Sequence, residues 1–151
     1  MFEGRSSNTL DGKGRVAIPV RYREALSSSG QDRIVVTVFF ISGSPCLEAY
    51  DARTWQDLVV NLQAKDGAFA QDRAFFESVY IGEAQPCQPD KQGRILIPSS
   101  LREHAALTDE VVFVGVGRKF QMFNPIERQK LTDQFQATLR QNPELFNAVG
   151  R

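Results

Sequence analysis

At 151 residues, with 42% hydrophobic and 24% charged side chains, the chain has the composition of a folded protein and not of a disordered segment. Eighteen basic residues balance eighteen acidic ones, so whole-domain basicity is absent and any binding to a polyanion must come from local charge asymmetry. The longest apolar stretch, Ile34–Ile41, is eight residues against the ~20 that a membrane helix needs, and no secretory pattern opens the chain, so a cytoplasmic protein is expected.

The first element with a clear signal is a turn. Residues 11–24 read DGKGRVAIPVRYRE. Asp11 can accept from nearby backbone N–H groups, and Gly14 can supply the positive φ of a tight hairpin. From Arg15 to Pro19 the side chains alternate, with Val16 and Ile18 inward and Arg15 and Ala17 outward. Pro19 closes the strand and starts a helix predicted over 20–27. An apolar strand, Ile34–Ile41, follows, and then a second one over 46–50. Asp51 caps the next helix, in which Trp55, Leu58, Val59 and Leu62 form an i, i+3, i+4, i+7 stripe. Gly67 is expected to end it. A further helix over 69–81 is expected to carry Phe76 and Val79 toward the core and to stop at Gly82.

The pattern then recurs. Residues 90–103 read DKQGRILIPSSLRE, offset by 90 − 11 = 79 without a gap. Asp90, Gly93, Arg94, Ile97, Pro98, Arg102 and Glu103 match Asp11, Gly14, Arg15, Ile18, Pro19, Arg23 and Glu24, seven identities in fourteen positions. A short helix is expected over 99–106, followed by strands over 111–114 and 120–123. Asn124, Pro125 and Glu127 then give a cap, a first-turn proline and a third-position acid. Leu131, Phe135 and Leu139 run down one side of that helix, and a last turn over 143–149 ends at Gly150. Self-similarity of this length divides the chain into two copies of one unit, residues 1–80 and 81–151. The apolar stripes are assigned to core or to subunit contacts.

The outward arginines carry the chemistry. A guanidinium can bind a phosphate bidentately or meet the O6/N7 edge of guanine, while lysine serves as a mobile charge for the backbone. Arg5, Lys13 and Arg15 can act together, with Arg21 and Arg23 nearby. Residues 1–24 hold five basic and three acidic side chains, a local 5 − 3 = +2. The structural alternative is an ion pair that locks each loop, Asp11 with Arg15 and Asp90 with Arg94, which when exposed is worth only about 0.2–1 kcal/mol. Arg23-Glu24 and Arg102-Glu103 are assigned to structure within the short helices.

Catalysis has little support. Cys46 and Cys87 lack metal-ligand spacing and read as buried thiols. The single histidine, His104, reads as a helix-surface residue, and no serine or cysteine has a partner histidine in recognisable spacing. Gly115-Val116-Gly117-Arg118 lacks the rest of a phosphate loop and reads as a turn between strands. No enzyme activity, cofactor, metal or small-molecule substrate is expected.

The paired D-x-x-G-R-x-x-I-P loops, the opening Met1-Phe2-x-Gly4, and the Arg-Tyr-Arg-Glu and Leu-Arg-Glu sequences after the loops resemble the MraZ family of bacterial regulators over essentially the whole chain. The resemblance implies an α+β, AbrB-like fold in which two pseudo-symmetric, swapped β-hairpin units interlock in a small barrel with flanking helices. It implies ring-like homo-oligomers in the nucleoid that bind repeated double-stranded DNA sites upstream of division and cell-wall genes. Residue by residue it carries over DNA contact to Lys13, Gly14 and Arg15 in the first loop and to Lys91, Gly93 and Arg94 in the second, with Asp11 and Asp90 organising the loops. The second loop departs from the first: Gln92 matches Lys13, and Lys91 matches Gly12. Antitoxins share the AbrB-like class, but the duplication and the capped terminal helix speak against that role. The rival reading is an oligomeric scaffold without specific DNA binding.

Overall fold

The computed structural model describes residues 1–30, 32–65 and 70–150, and within them it is a mixed α+β protein. The elements run β1 (Phe2–Thr9), β2 (Arg15–Ala17), α1 (Val20–Ser28), β3 (Ile34–Ile41), β4 (Ser44–Asp51), α2 (Ala52–Gln63) and α3 (Ala70–Phe76). A π-helical turn over Glu77–Ile81 leads to β5 (Gln85–Cys87), β6 (Arg94–Leu96), α4 (Ser99–His104), β7 (Glu110–Gly117), β8 (Lys119–Phe123), α5 (Pro125–Gln141) and α6 (Leu145–Gly150).

The strands form an antiparallel six-stranded sheet, ordered β1-β7-β8-β4-β3-β5, and a two-stranded ribbon, β2-β6. Pairing crosses between the two halves of the chain. β1 lies against β7, from Phe2↔Gly117 to Thr9↔Glu110, and reciprocally β5 lies against β3. β2 and β6 pair with each other, as do β4 and β8. The Asp11–Arg15 loop therefore closes a tight turn, but its flanking strands do not form the local hairpin expected from the sequence: each finds its partner in the other half. Burial explains the exchange. Val16, Ile18, Ile95 and Ile97 are all at most 1% exposed and join one core with Phe2, Tyr22, Leu101, Phe113 and Phe120. Pairing β2 with β6 gathers these four inward aliphatic side chains into that one core.

The helix starts follow their caps. Asp51 accepts from Thr54 N–H at 2.8 Å, and Asn124 accepts from Ile126 N–H at 2.8 Å with Pro125 in the first turn. α1 and α4 begin directly after Pro19 and Pro98; α4 ends at His104, two residues before the expected end, where Ala106 turns left-handed (φ 52°). Of the expected 69–81 helix, residue 69 lies outside the described residues, as does Gly67, the expected stop of α2. Phe76 and Val79 do not enter the core; they are 37% and 40% exposed, and Tyr80 is the side chain turned inward. Widening into a π-helical turn shifts the angular position of each residue, so a 3.6-residue period carried past Phe76 selects the wrong face. Gly115 and Val116 lie inside β7, and the expected turn is confined to its last residue, Gly117 (φ 96°), and Arg118. Among the described residues, no helix is long and apolar enough to cross a membrane.

Candidate nucleic-acid interface

The ribbon presents one face to the core and the other to solvent. Its register sets Arg15 opposite Leu96, Val16 opposite Ile95 and Ala17 opposite Arg94. Alternation places Arg15, Ala17, Arg94 and Leu96 on a single outward face. The two arginines are diagonal neighbours there, with Cα atoms about 7–8 Å apart by the geometry of an antiparallel pair. Leu96, 55% exposed, stands directly opposite Arg15 as apolar surface on the same face.

A turn precedes each arginine, and the two turns are built alike. The Asp11 carboxylate accepts from the N–H groups of Lys13 (2.8 Å) and Arg15 (2.9 Å), and Asp90 accepts from Gln92 (2.9 Å) and Arg94 (3.0 Å). Gly14 and Gly93 donate back to the aspartate carbonyls at 3.1 and 3.0 Å. These bonds to the charged form hold both carboxyls below their ordinary value, the hydrogen bond from the arginine N–H contributing most in each. Reciprocal bonds join the halves beside the turns, Ile18 N–H to Gly93 C=O and Ile97 N–H to Gly14 C=O, both 2.9 Å.

Gly14 and Gly93 have φ of 87° and 77°, a conformation a side chain resists. Space is also short. A Cβ on Gly14 would lie 2.7 Å from the Arg102 guanidinium, and one on Gly93 would lie 2.4–2.8 Å from the Arg23 side chain. Each turn is thus backed by the arginine of the other half's short helix. The sequence reading assigned Arg23 and Arg102 to structure within their own helices; their identical placement in the repeat was the visible sign of a shared role, but which loop they support follows only from the exchange of strands. Arg23 Nε donates to Ile18 C=O at 3.1 Å, whereas Arg102 Nε is buried with no hydrogen-bond partner among the described residues.

Lys13 and Lys91 are exposed on the turns. Arg5 is not brought to them. It lies on β1 opposite Val114, and alternation sets it on the face away from Phe2 and Asn8; it is Asn8 whose side chain reaches the ribbon, donating to Ala17 C=O at 2.6 Å. Arg5 instead lies near enough to Arg128 on α5 for its charge to depress that guanidinium, second to burial.

The remaining chemistry-bearing groups are structural. Cys46 and Cys87 are buried free thiols; burial pushes them up to about 12 and about 11, with the Glu48 charge adding to the rise at Cys46. His104 is half-buried, not a surface residue, and its Nε2 lies 3.0 Å from Phe39 C=O. Among the described residues, no three metal-ligating side chains gather. One group escaped the sequence reading altogether: fully buried Glu48, which accepts from the Tyr80 hydroxyl, from Gln121 Nε2 (2.8 Å) and from Lys119 Nζ (3.1 Å).

Residues 1–77 and 80–145 match the family model for the MraZ protein, antitoxin-like. The chain is 40% identical over 126 residues to the transcriptional regulator MraZ of Gluconobacter oxydans, covering 83% of this chain and 76% of that one. It is 38% identical over 140 residues to that of Shewanella sediminis, covering 93% and 90%, and 40% identical over 124 residues to that of Legionella pneumophila strain Corby, covering 82% and 80%. A solution structure of PHS018 from Pyrococcus horikoshii aligns with 83% of the chain at 13% identity and a TM-score of 0.35, too loose a likeness to carry any inference. A repeat-built ribbon bearing twin arginines, together with matches across both halves to regulators of one kind, leads to one assignment: the chain belongs to the MraZ family.

Proposed function

We propose that the chain is a transcription regulator that sets the outward face of the β2/β6 ribbon into the major groove of double-stranded DNA. The observation that carries this reading is the placement of Arg15 and Arg94 on one solvent face, each beside an aspartate-organised turn. On or against the two turns stand Lys13, Arg15, Arg23, Lys91, Arg94 and Arg102 with Asp11, Asp32 and Asp90, a local 6 − 3 = +3 in a chain of zero net charge. A two-stranded ribbon is narrow enough for the groove. Gly14 and Gly93, expected from the sequence to meet the DNA, are buried against Arg102 and Arg23 and shape the turns instead, while exposed Leu96 offers the apolar surface that a thymine methyl can meet. Arg5, on the other face of β1, stands apart from this contact set.

Strand exchange between the halves supports an interlocked AbrB-like barrel built from two copies of one unit, residues 1–80 and 81–151. Exposed Phe40, Phe75, Phe135 and Phe146, 56%, 75%, 55% and 57% accessible, support self-association into a ring-like homo-oligomer. Several linked ribbons would favour repeated sites over isolated ones, because linkage gains about 10²–10⁴ in avidity. The same reading extends to action in the nucleoid, on promoters of division and cell-wall genes.

The test is a salt titration of duplex binding, with Arg15→Ala as the control. Phosphate contact gives a slope of log affinity against log salt near −0.9 per phosphate neutralised. The parent is expected to show a steep slope, and the variant to fold normally yet bind at least tenfold more weakly. The same exposed aromatic surface favours a second reading, an oligomeric scaffold that touches DNA incidentally. A flat salt response from an intact oligomer would establish the scaffold and refute the regulator.

A further inference from the structure

The two turns are alike in backbone and unlike in one side-chain contact. In both, one carboxylate oxygen of the aspartate accepts the N–H groups two and four residues on. In the second turn the other oxygen, Asp90 Oδ2, also accepts from Arg94 Nε at 3.1 Å. Among the described residues, the Arg15 guanidinium has no carboxylate within ion-pair distance.

A guanidinium held through Nε keeps its two Nη groups on the free edge of a plane whose direction the carboxylate sets. That edge offers two parallel donors, the complement of guanine N7 and O6 in the major groove. A side chain already fixed in direction loses less rotamer freedom on binding than a free one. Base reading needs this aim, because the acceptors lie at fixed positions. The Arg15 charge acts on Asp11 only from beyond ion-pair distance, so no carboxylate sets the direction of its guanidinium, which suits a phosphate contact that fixes register but carries no sequence information.

From this asymmetry we infer that Arg94 reads a guanine, that Asp90 is the positioning residue that aims it, and that Arg15 holds the DNA backbone. The inference rests on the DNA reading above and divides its work between the two turns. It also gives a reason for retaining two turns that are not interchangeable.

Asp90→Asn separates the two tasks of Asp90. An amide oxygen can still accept the N–H groups of Gln92 and Arg94, but its NH₂ cannot accept from Arg94 Nε. The experiment takes the full chain and a duplex that the parent selects from a randomised library, together with every single base-pair change in it. Asp90→Asn and Arg94→Ala are both expected to lose discrimination at one guanine position by tenfold or more, and Asp90→Asn is expected to keep the parent's salt slope. Arg15→Ala should weaken all the duplexes alike and make the slope shallower by about 0.9. Asp11→Asn should change neither reading. Full discrimination by Asp90→Asn and by Arg94→Ala would overturn the inference, as would equal losses from Asp11→Asn and Asp90→Asn, which would mark a purely structural turn. If the parent selects no duplex and binds without salt dependence, the DNA reading itself falls. That result is distinct from a discriminating parent whose Asp90→Asn variant discriminates equally well.

Discussion

At the scale of single residues, each turn hangs on a carboxylate and a glycine. Asp11 and Asp90 have their folded-state acidity shifted to lower pH, so their contribution is complete above the ordinary value of 3.8 and is lost as pH falls through the lowered value. The amide resonances of Lys13, Arg15, Gln92 and Arg94 are therefore expected to hold their positions on acidification past 3.8 and to move only below it, as followed by NMR. Gly14→Ala forces a left-handed alanine and displaces the Arg102 guanidinium. A loss of at least ~1–2 kcal/mol is expected in urea unfolding. Gly12→Ala, whose Cβ would meet nothing within 4 Å, should stay within about 0.5 kcal/mol of the parent. The thiols at Cys46 and Cys87 are buried and pushed upward, so a thiol reagent at pH 8 should label them only once denaturant is added.

At the scale of elements, the repeat was legible because identical residues at a constant offset need no structural assumption. Inward Val16, Ile18, Ile95 and Ile97 followed from simple alternation, and the caps at Asp51 and Asn124 from their residue types. What stayed hidden was pairing over distance. A three-residue strand such as Arg15–Ala17 has no partner written into it: its residues alone point to a local hairpin, and only the family resemblance pointed to exchanged, interlocking strands. The face of the Glu77–Ile81 segment was hidden as well, because a π-helical turn breaks the period on which the reading relied. Glu48 is the sharpest omission. On β4 between Leu47 and Ala49, it sits at the centre of a buried set that ties β4 to β8 and to Tyr80. Burial alone would pull Lys119 down, but its pairing with Glu48 outweighs this and raises it. Burial, reinforced by the bond to Glu48, pushes the Tyr80 hydroxyl far up. Removing the acid strands its partners, so Glu48→Ala is expected to cost about 3–5 kcal/mol in urea unfolding. Glu127→Ala, which breaks the exposed pair with Lys130 at 3.2 Å, should cost under about 1 kcal/mol.

At the scale of the whole molecule, the halves depend on each other. Residues 1–80 contain β1 and β2 but neither β7 nor β6, against which those strands are laid. The isolated fragment 1–80 is expected to lack a cooperative thermal transition, and mixing it with 81–151 is expected to restore one, measurable by calorimetry. The register has a further consequence during synthesis. Phe2 lies opposite Gly117, a separation of 117 − 2 = 115 residues, and contacts of such long range close slowly. On the ribosome, the amino-terminal strand must wait for nearly the entire polypeptide to emerge before its docking place exists. A product terminated before residue 94 therefore carries the first arginine without the second and without the scaffold that orients either, which leaves it unable to compete with the finished protein for its sites.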